Sequence, residues 1–123
     1  MVEATLVEEG RRVVSALRTS GVPLDFAVWF ANPSSEEMTF AIGSRAIDQM
    51  GPTASYQKVV EAIGNFKDDL RHFRLDQIKL TSVESQMGRA LFRSFGNKDG
   101  DAMVGMYVSP EVVLQQVYAY ATA

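Results

Sequence analysis

The stretch from Leu24 to Ile47, LDFAVWFANPSSEEMTFAIGSRAI, constrains the fold more tightly than any other part of the chain. It reads as two antiparallel strands joined by the loop Asn32-Pro33-Ser34-Ser35-Glu36-Glu37, a polar turn expected to be solvated. Side chains alternate along a strand. Leu24, Phe26, Val28 and Phe30 therefore share one face, and Asp25, Ala27, Trp29 and Ala31 the other. The second strand divides into Met38, Phe40 and Ile42 against Thr39, Ala41 and Gly43. A symmetric pairing sets Trp29 opposite Phe40, Ala27 opposite Ile42 and Asp25 opposite Ser44, with Arg45 alongside. The first strand is apolar on both faces, whereas a surface hairpin alternates apolar and polar residues. It is expected at the centre of a sheet, covered on both sides.

The flanking segments supply the cover. Residues 5–20 read as a helix with Leu6, Gly10, Val13, Val14 and Leu17 at helical spacing. Gly21 ends it and Pro23 prevents its continuation. After a connection over residues 48–53, Pro52 opens a second helix running to about Asn65, with the stripe Tyr56, Val59, Val60 and Ile63. The charged, aromatic run FKDDLRHFRL (66–75) allows one or two helical turns. Gln77 to Val83 reads as an edge or half-exposed strand with Ile78 and Leu80 inward and Lys79 and Thr81 outward. Ser85 caps a third helix through Phe95, whose inner face is Met87, Leu91 and Phe95. Ala102 to Val108 is a strand, and β-branched and aromatic residues favour a last strand over Leu114 to Ala121 against a helix starting at Pro110. The expected fold is therefore α+β: a mixed, mainly antiparallel sheet of about five strands with three helices, in the order α-β-β-α-β-α-β-β, forming a single domain over residues 1–123.

Composition limits the chemistry. The chain has no cysteine and one histidine, so disulfides, thiolate metal ligands and cysteine nucleophiles are excluded. No apolar run reaches the length of a membrane span and the first residues do not read as a signal peptide, so a soluble cytoplasmic protein is expected. Neither GxxxxGK[ST] nor GxGxxG occurs, and no GxSxG presents a serine to His72. Asp68 with Asp69, and Asp99 with Asp101, lack the further ligands a metal site needs. The sequence thus calls for no catalytic residue, cofactor or metal. Asp25, Arg45 and His72 are the groups an enzyme would have to use, Asp25 because it interrupts an apolar strand and His72 because it can titrate near neutrality.

Two binding readings remain. Net charge is −3, yet residues 67–98 hold seven Lys/Arg against four Asp/Glu. Arg71, Arg74, Arg89 and Arg93, interleaved with Phe73, Phe92 and Phe95, form a candidate patch for nucleic acid or a nucleotide-bearing partner. The first reading is different. Trp29, Phe40, Met50, Phe92, Met103, Met106, Tyr107, Tyr118 and Tyr120 exceed what three short helices cover, and such residues are enriched at protein interfaces. The function expected is non-enzymatic protein–protein interaction, as a homodimer, with Tyr107, Tyr118 and Tyr120 as contacts and the terminal VYAYATA as an exposed edge strand.

Overall fold

In the computed structural model, which describes residues 3–31, 37–64 and 67–122, the strand bearing Trp29 is the middle one of a five-stranded sheet. The elements are α1 (Ala4–Thr19), β1 (Phe26–Ala31), β2 (Met38–Gly43), α2 (Arg45–Met50), α3 (Pro52–Ile63), β3 (Ile78–Leu80), α4 (Gln86–Phe95), β4 (Ala102–Val108) and β5 (Val113–Ala119), with single 3₁₀ turns at Lys67–Asp69 and Leu75–Gln77. Across the sheet the order is β3-β2-β1-β5-β4. β2 and β3 are parallel and every other pair is antiparallel. This is the α+β architecture expected, with one short helix more. The expected turn residues Asn32 to Glu36, the expected end of the second helix at Asn65, and Phe66 at the start of the next run lie outside the described residues.

The central hairpin has the expected register, Trp29 against Phe40 and Ala27 against Ile42. All of β1 is buried, with Phe26, Val28 and Trp29 fully so. Its two faces feed two cores. On one, Trp29 lies 4.9 Å from Phe40 and 5.2 Å from Phe73 between ring centroids, and Tyr120 stands 5.8 Å from Phe40. α1 and α3 close this side through Val13, Leu17, Val59 and Ile63. On the other, Phe26, Val28 and Phe30 meet Leu91 and Phe95 of α4 and Leu114, Val117 and Ala119 of β5. At about 25 cal/mol per Å² of apolar surface, these two layers are the main source of stability.

Several local expectations change. A short helix, α2, precedes and overlaps the connection expected over residues 48–53; Ser44 Oγ accepts from Ala46 N at 3.2 Å and Asp25 Oδ2 from Arg45 N at 2.9 Å. These bonds satisfy donors that a helix start otherwise leaves unpaired. In α3 the inward row is Ser55, Val59 and Ile63. Tyr56 and Val60 are exposed, lying about 100° further round the helix than Ser55 and Val59. Ser55 is tolerated inside because its hydroxyl donates to Ile47 O and Gly51 O, at 3.1 and 2.6 Å. β3 is shorter than expected, and Thr81, expected outward, is buried with its N–H donated to Ile42 O.

The last strand is real but internal. β5 lies between β1 and β4, so VYAYATA is not an edge. A residue facing the Trp29 core must have an apolar body, and Tyr120 fits because its hydroxyl accepts from Trp29 Nε1 at 3.0 Å and donates to Val7 O at 2.6 Å. β5 also bulges. Gln116 has φ 51°, and the pairing to β1 shifts by one residue between Trp29 and Ala31.

Candidate functional site

The polar residues of the sequence reading hold elements together. Asp25 is half-buried and accepts from the Arg45 backbone, not from its guanidinium. His72 pairs with Glu9 of α1: its Nδ1 lies 3.2 Å from Glu9 Oε2, and its backbone N–H donates to Glu9 Oε1 at 3.0 Å. The same Oε1 accepts from Phe73 N at 3.2 Å, so one carboxylate moors the loop that delivers Phe73 to the core. Burial works against the charged form of Glu9, but the bonds from His72 and Phe73 outweigh it and leave its pKa lowered. Asp25 thus meets Arg45 through the backbone alone, while His72 is engaged by Glu9. Glu9 was missed in the sequence because an acid in the first turns of a helix reads as a solvated, dipole-favoured residue.

A second cluster fastens α1 two residues further on, at Arg11. Arg11 Nη1 donates to Asp101 Oδ2 at 2.9 Å and Nη2 to Tyr118 Oη at 3.2 Å, while Tyr118 Oη donates to Asp101 Oδ2 at 2.7 Å. Asp101 Oδ1 accepts from Ala121 N at 2.7 Å. Partial burial disfavours the Asp101 carboxylate, yet the donors of Tyr118, Ala121 and Arg11 prevail and lower its pKa. Burial pushes the Tyr120 hydroxyl above the ordinary phenol range.

The seven residues proposed as contacts are dispersed. Phe73 belongs to the Trp29 core, whereas Phe95 and the half-buried Phe92 belong with α4 on the other face. Arg71 and Arg74, which flank His72 and Phe73, are thus separated by the sheet from Arg89 and Arg93 of α4. Arg74 is paired with Asp76 at 3.2 Å and Arg93 with Glu111 at 3.1 Å. Tyr120 is buried, Tyr118 is engaged with Asp101, and Tyr107 Oη lies 2.7 Å from Ser94 Oγ with its ring 5.2 Å from Phe95.

What is open is β4. It is an outer strand, and its sequence AMVGMYV carries no charge and no proline, the usual protections of a sheet edge. Among the described residues, its only backbone ladder partner is β5. Ala102, Val104 and Tyr107 pack on the α4 side. Strict alternation would separate Met103 from Met106 and Val108, but the phase of burial changes at Gly105, next to the left-handed Gln116 of β5, so all three lie away from α4, with Val113 facing Val108 across the ladder. These four stay 57, 55, 67 and 45% exposed. Met103 and Met106 were in the apolar surplus of the sequence; Val108 and Val113 were hidden because a strand pattern cannot say which of its faces a helix will cover.

The fold and this edge define an α+β protein with one open, uncharged strand. Comparison with family models, curated proteins and solved structures finds no match to this chain. Among the described residues no group of three or more His, Cys, Asp or Glu is arranged to hold a metal, and no helix is long and apolar enough to cross a membrane.

Proposed function

We propose that the protein acts by binding protein, without transforming a substrate, and that its partner at β4 is a second copy of itself. The observation that carries this reading is the uncharged seven-residue edge with four exposed apolar side chains beside it. Two such edges pair antiparallel about a two-fold axis, each supplying the backbone donors and acceptors the other lacks. Like strands repel when they carry like charges, and this one carries none. The acids bounding the hairpin, Asp101 and Glu111, are neutralised within the same chain by Arg11 and Arg93. The two apolar quartets come side by side on one face of the joined sheet. The absence of cysteine suits a reducing compartment such as the cytoplasm.

Light scattering and sedimentation across a wide concentration range test this reading. The dimer is expected to grow with concentration, and Met106→Lys or Val108→Lys to return the protein to monomer with its thermal unfolding little changed. A wild-type chain that stays monomeric at millimolar concentration overturns it.

A further inference from the structure

Four arginines of this chain have a carboxylate at hand: Arg11 with Asp101, Arg12 with Asp69, Arg74 with Asp76 and Arg93 with Glu111. Arg45, Arg71 and Arg89 are different: among the described residues none of the three has a carboxylate within ion-pair distance, in a chain with more acids than bases. Arg71 stands apart, but Arg45 and Arg89 both line the same concavity of about 310 Å³, with Val83, Glu84 and Phe92. They come from separate elements. Arg45 is the first residue of α2, and Arg89 lies in the first turn of α4, three residues before Phe92 and so on the same side of that helix.

The walls of this concavity are tied to one another. Val83 N donates to Asp48 Oδ2 of α2 at 3.2 Å, fixing the approach to α4 against α2. Ser85 Oγ then caps α4 by accepting from Gly88 N at 3.0 Å. The Arg45 guanidinium, although exposed, stands 5.9 Å from the centroid of the Phe92 ring, another lining residue of the concavity.

We propose that Arg45 and Arg89 together form a binding site for the phosphate group of a small molecule. Two guanidiniums present planar forks of donors, the geometry that matches phosphate oxygens, and their joint charge matches a phosphate dianion. Val83 and Phe92 supply an apolar wall for the carbon portion of a phosphomonoester. The volume is near the lower limit of ligand sites, about 300 Å³, so the occupant is small. Glu84 opposes the anion from the rim. It pairs with neither arginine, so it weakens the site without closing it. This site involves no residue of β4, and its fate is separate from that of the dimer.

The test is a titration of the ¹⁵N-labelled protein with phenyl phosphate and, separately, inorganic phosphate, read at the amides of residues 83–92. Saturable shifts are expected there, weakening as salt is raised. Arg45→Ala and Arg89→Ala should each weaken binding by roughly tenfold or more, as expected for a lost hydrogen bond to a charged group. Arg89→Lys should fall between wild type and alanine, because the charge stays and the fork is lost. Glu84→Gln should tighten binding, and Arg71→Ala, on the other face of the sheet, should leave it unchanged. Tighter binding of phenyl phosphate assigns the site to phosphomonoesters, and equal binding assigns it to free phosphate. No saturable shift at these amides, or an equal loss in Arg71→Ala, overturns the proposal.

Discussion

Replacing Gly10 by alanine sets two physical effects of opposite sign against each other. Gly10 lies in the middle of α1, where alanine is favoured over glycine by about 1 kcal/mol. On that ground the substitution stabilises. In the fold, however, a Cβ at Gly10 would overlap Tyr120 Oη and stand 2.6 Å from Trp29 Nε1. Neither ring can retreat freely. Tyr120 Oη is bonded to Val7 O and to Trp29 Nε1, and Trp29 is fully buried against Phe40 and Phe73. Overpacking a filled core costs about 1–3 kcal/mol, and weakening two buried hydrogen bonds costs about 1 kcal/mol each. Set against the propensity gain, Gly10→Ala should destabilise by about 2–4 kcal/mol. For a chain of this length that lowers Tm by on the order of 10 °C. Urea unfolding followed by tryptophan fluorescence reads the effect directly, since Trp29 is the sole tryptophan and sits at the contact. Tyr120→Phe removes the overlapping oxygen, so the double variant should lose less than the sum of the two single losses. A neutral or stabilised Gly10→Ala protein would refute the packing argument and leave propensity as the winner.

Phe73→Ala should cost about 3–5 kcal/mol in the same assay, because Phe73 is a core residue between Trp29 and Phe40 and not part of a surface patch; a loss under 1 kcal/mol would contradict its burial. The pKa values of Glu9 and Asp101 are lowered on folding, so their stabilisation is complete above the unfolded carboxylate range, near pH 4, and is lost as pH falls through their folded values. Unfolding free energy should therefore decline on acidification below about pH 5, and the double variant Glu9→Gln with Asp101→Asn should show a shallower decline; an unchanged slope would mean that other acids carry it. Ser85→Ala should destabilise by about 1 kcal/mol through loss of the α4 cap, measured by calorimetry, and Ser85→Asp should retain most of it.

Much of the fold is legible in the order of residues because the signals are local. The alternation through Phe26 to Ala31 gives a strand with two apolar faces, and such a strand has nowhere to go but the middle of a sheet. The register of Trp29 on Phe40 follows from the pleat once both strands are recognised. The helices of residues 4–19 and 86–95 announce themselves through their spacing, through Gly21 and through Ser85. The α3 stripe is less secure, since four apolar residues at helical spacing span a wider arc than the sheet covers, and only Val59 and Ile63 of them are buried.

What pairs with what across long stretches of chain was settled by the tertiary structure. Glu9 reads as a surface acid until His72 and Phe73 are brought to it from more than sixty residues away. Tyr118 and Tyr120 read as an exposed edge until β5 inserts between β1 and β4, which passes the open edge to β4. Arg45 and Arg89 are forty-four positions apart and share nothing in the sequence, yet α2 and α4 turn them into one concavity. The physical reason is one of range. Strand alternation, helix period and caps act between residues a few positions apart, so the sequence states them by itself. Which edge is left open, and which charge finds a partner, depends on how the sheet is ordered and on which face each helix covers, and no local pattern carries that.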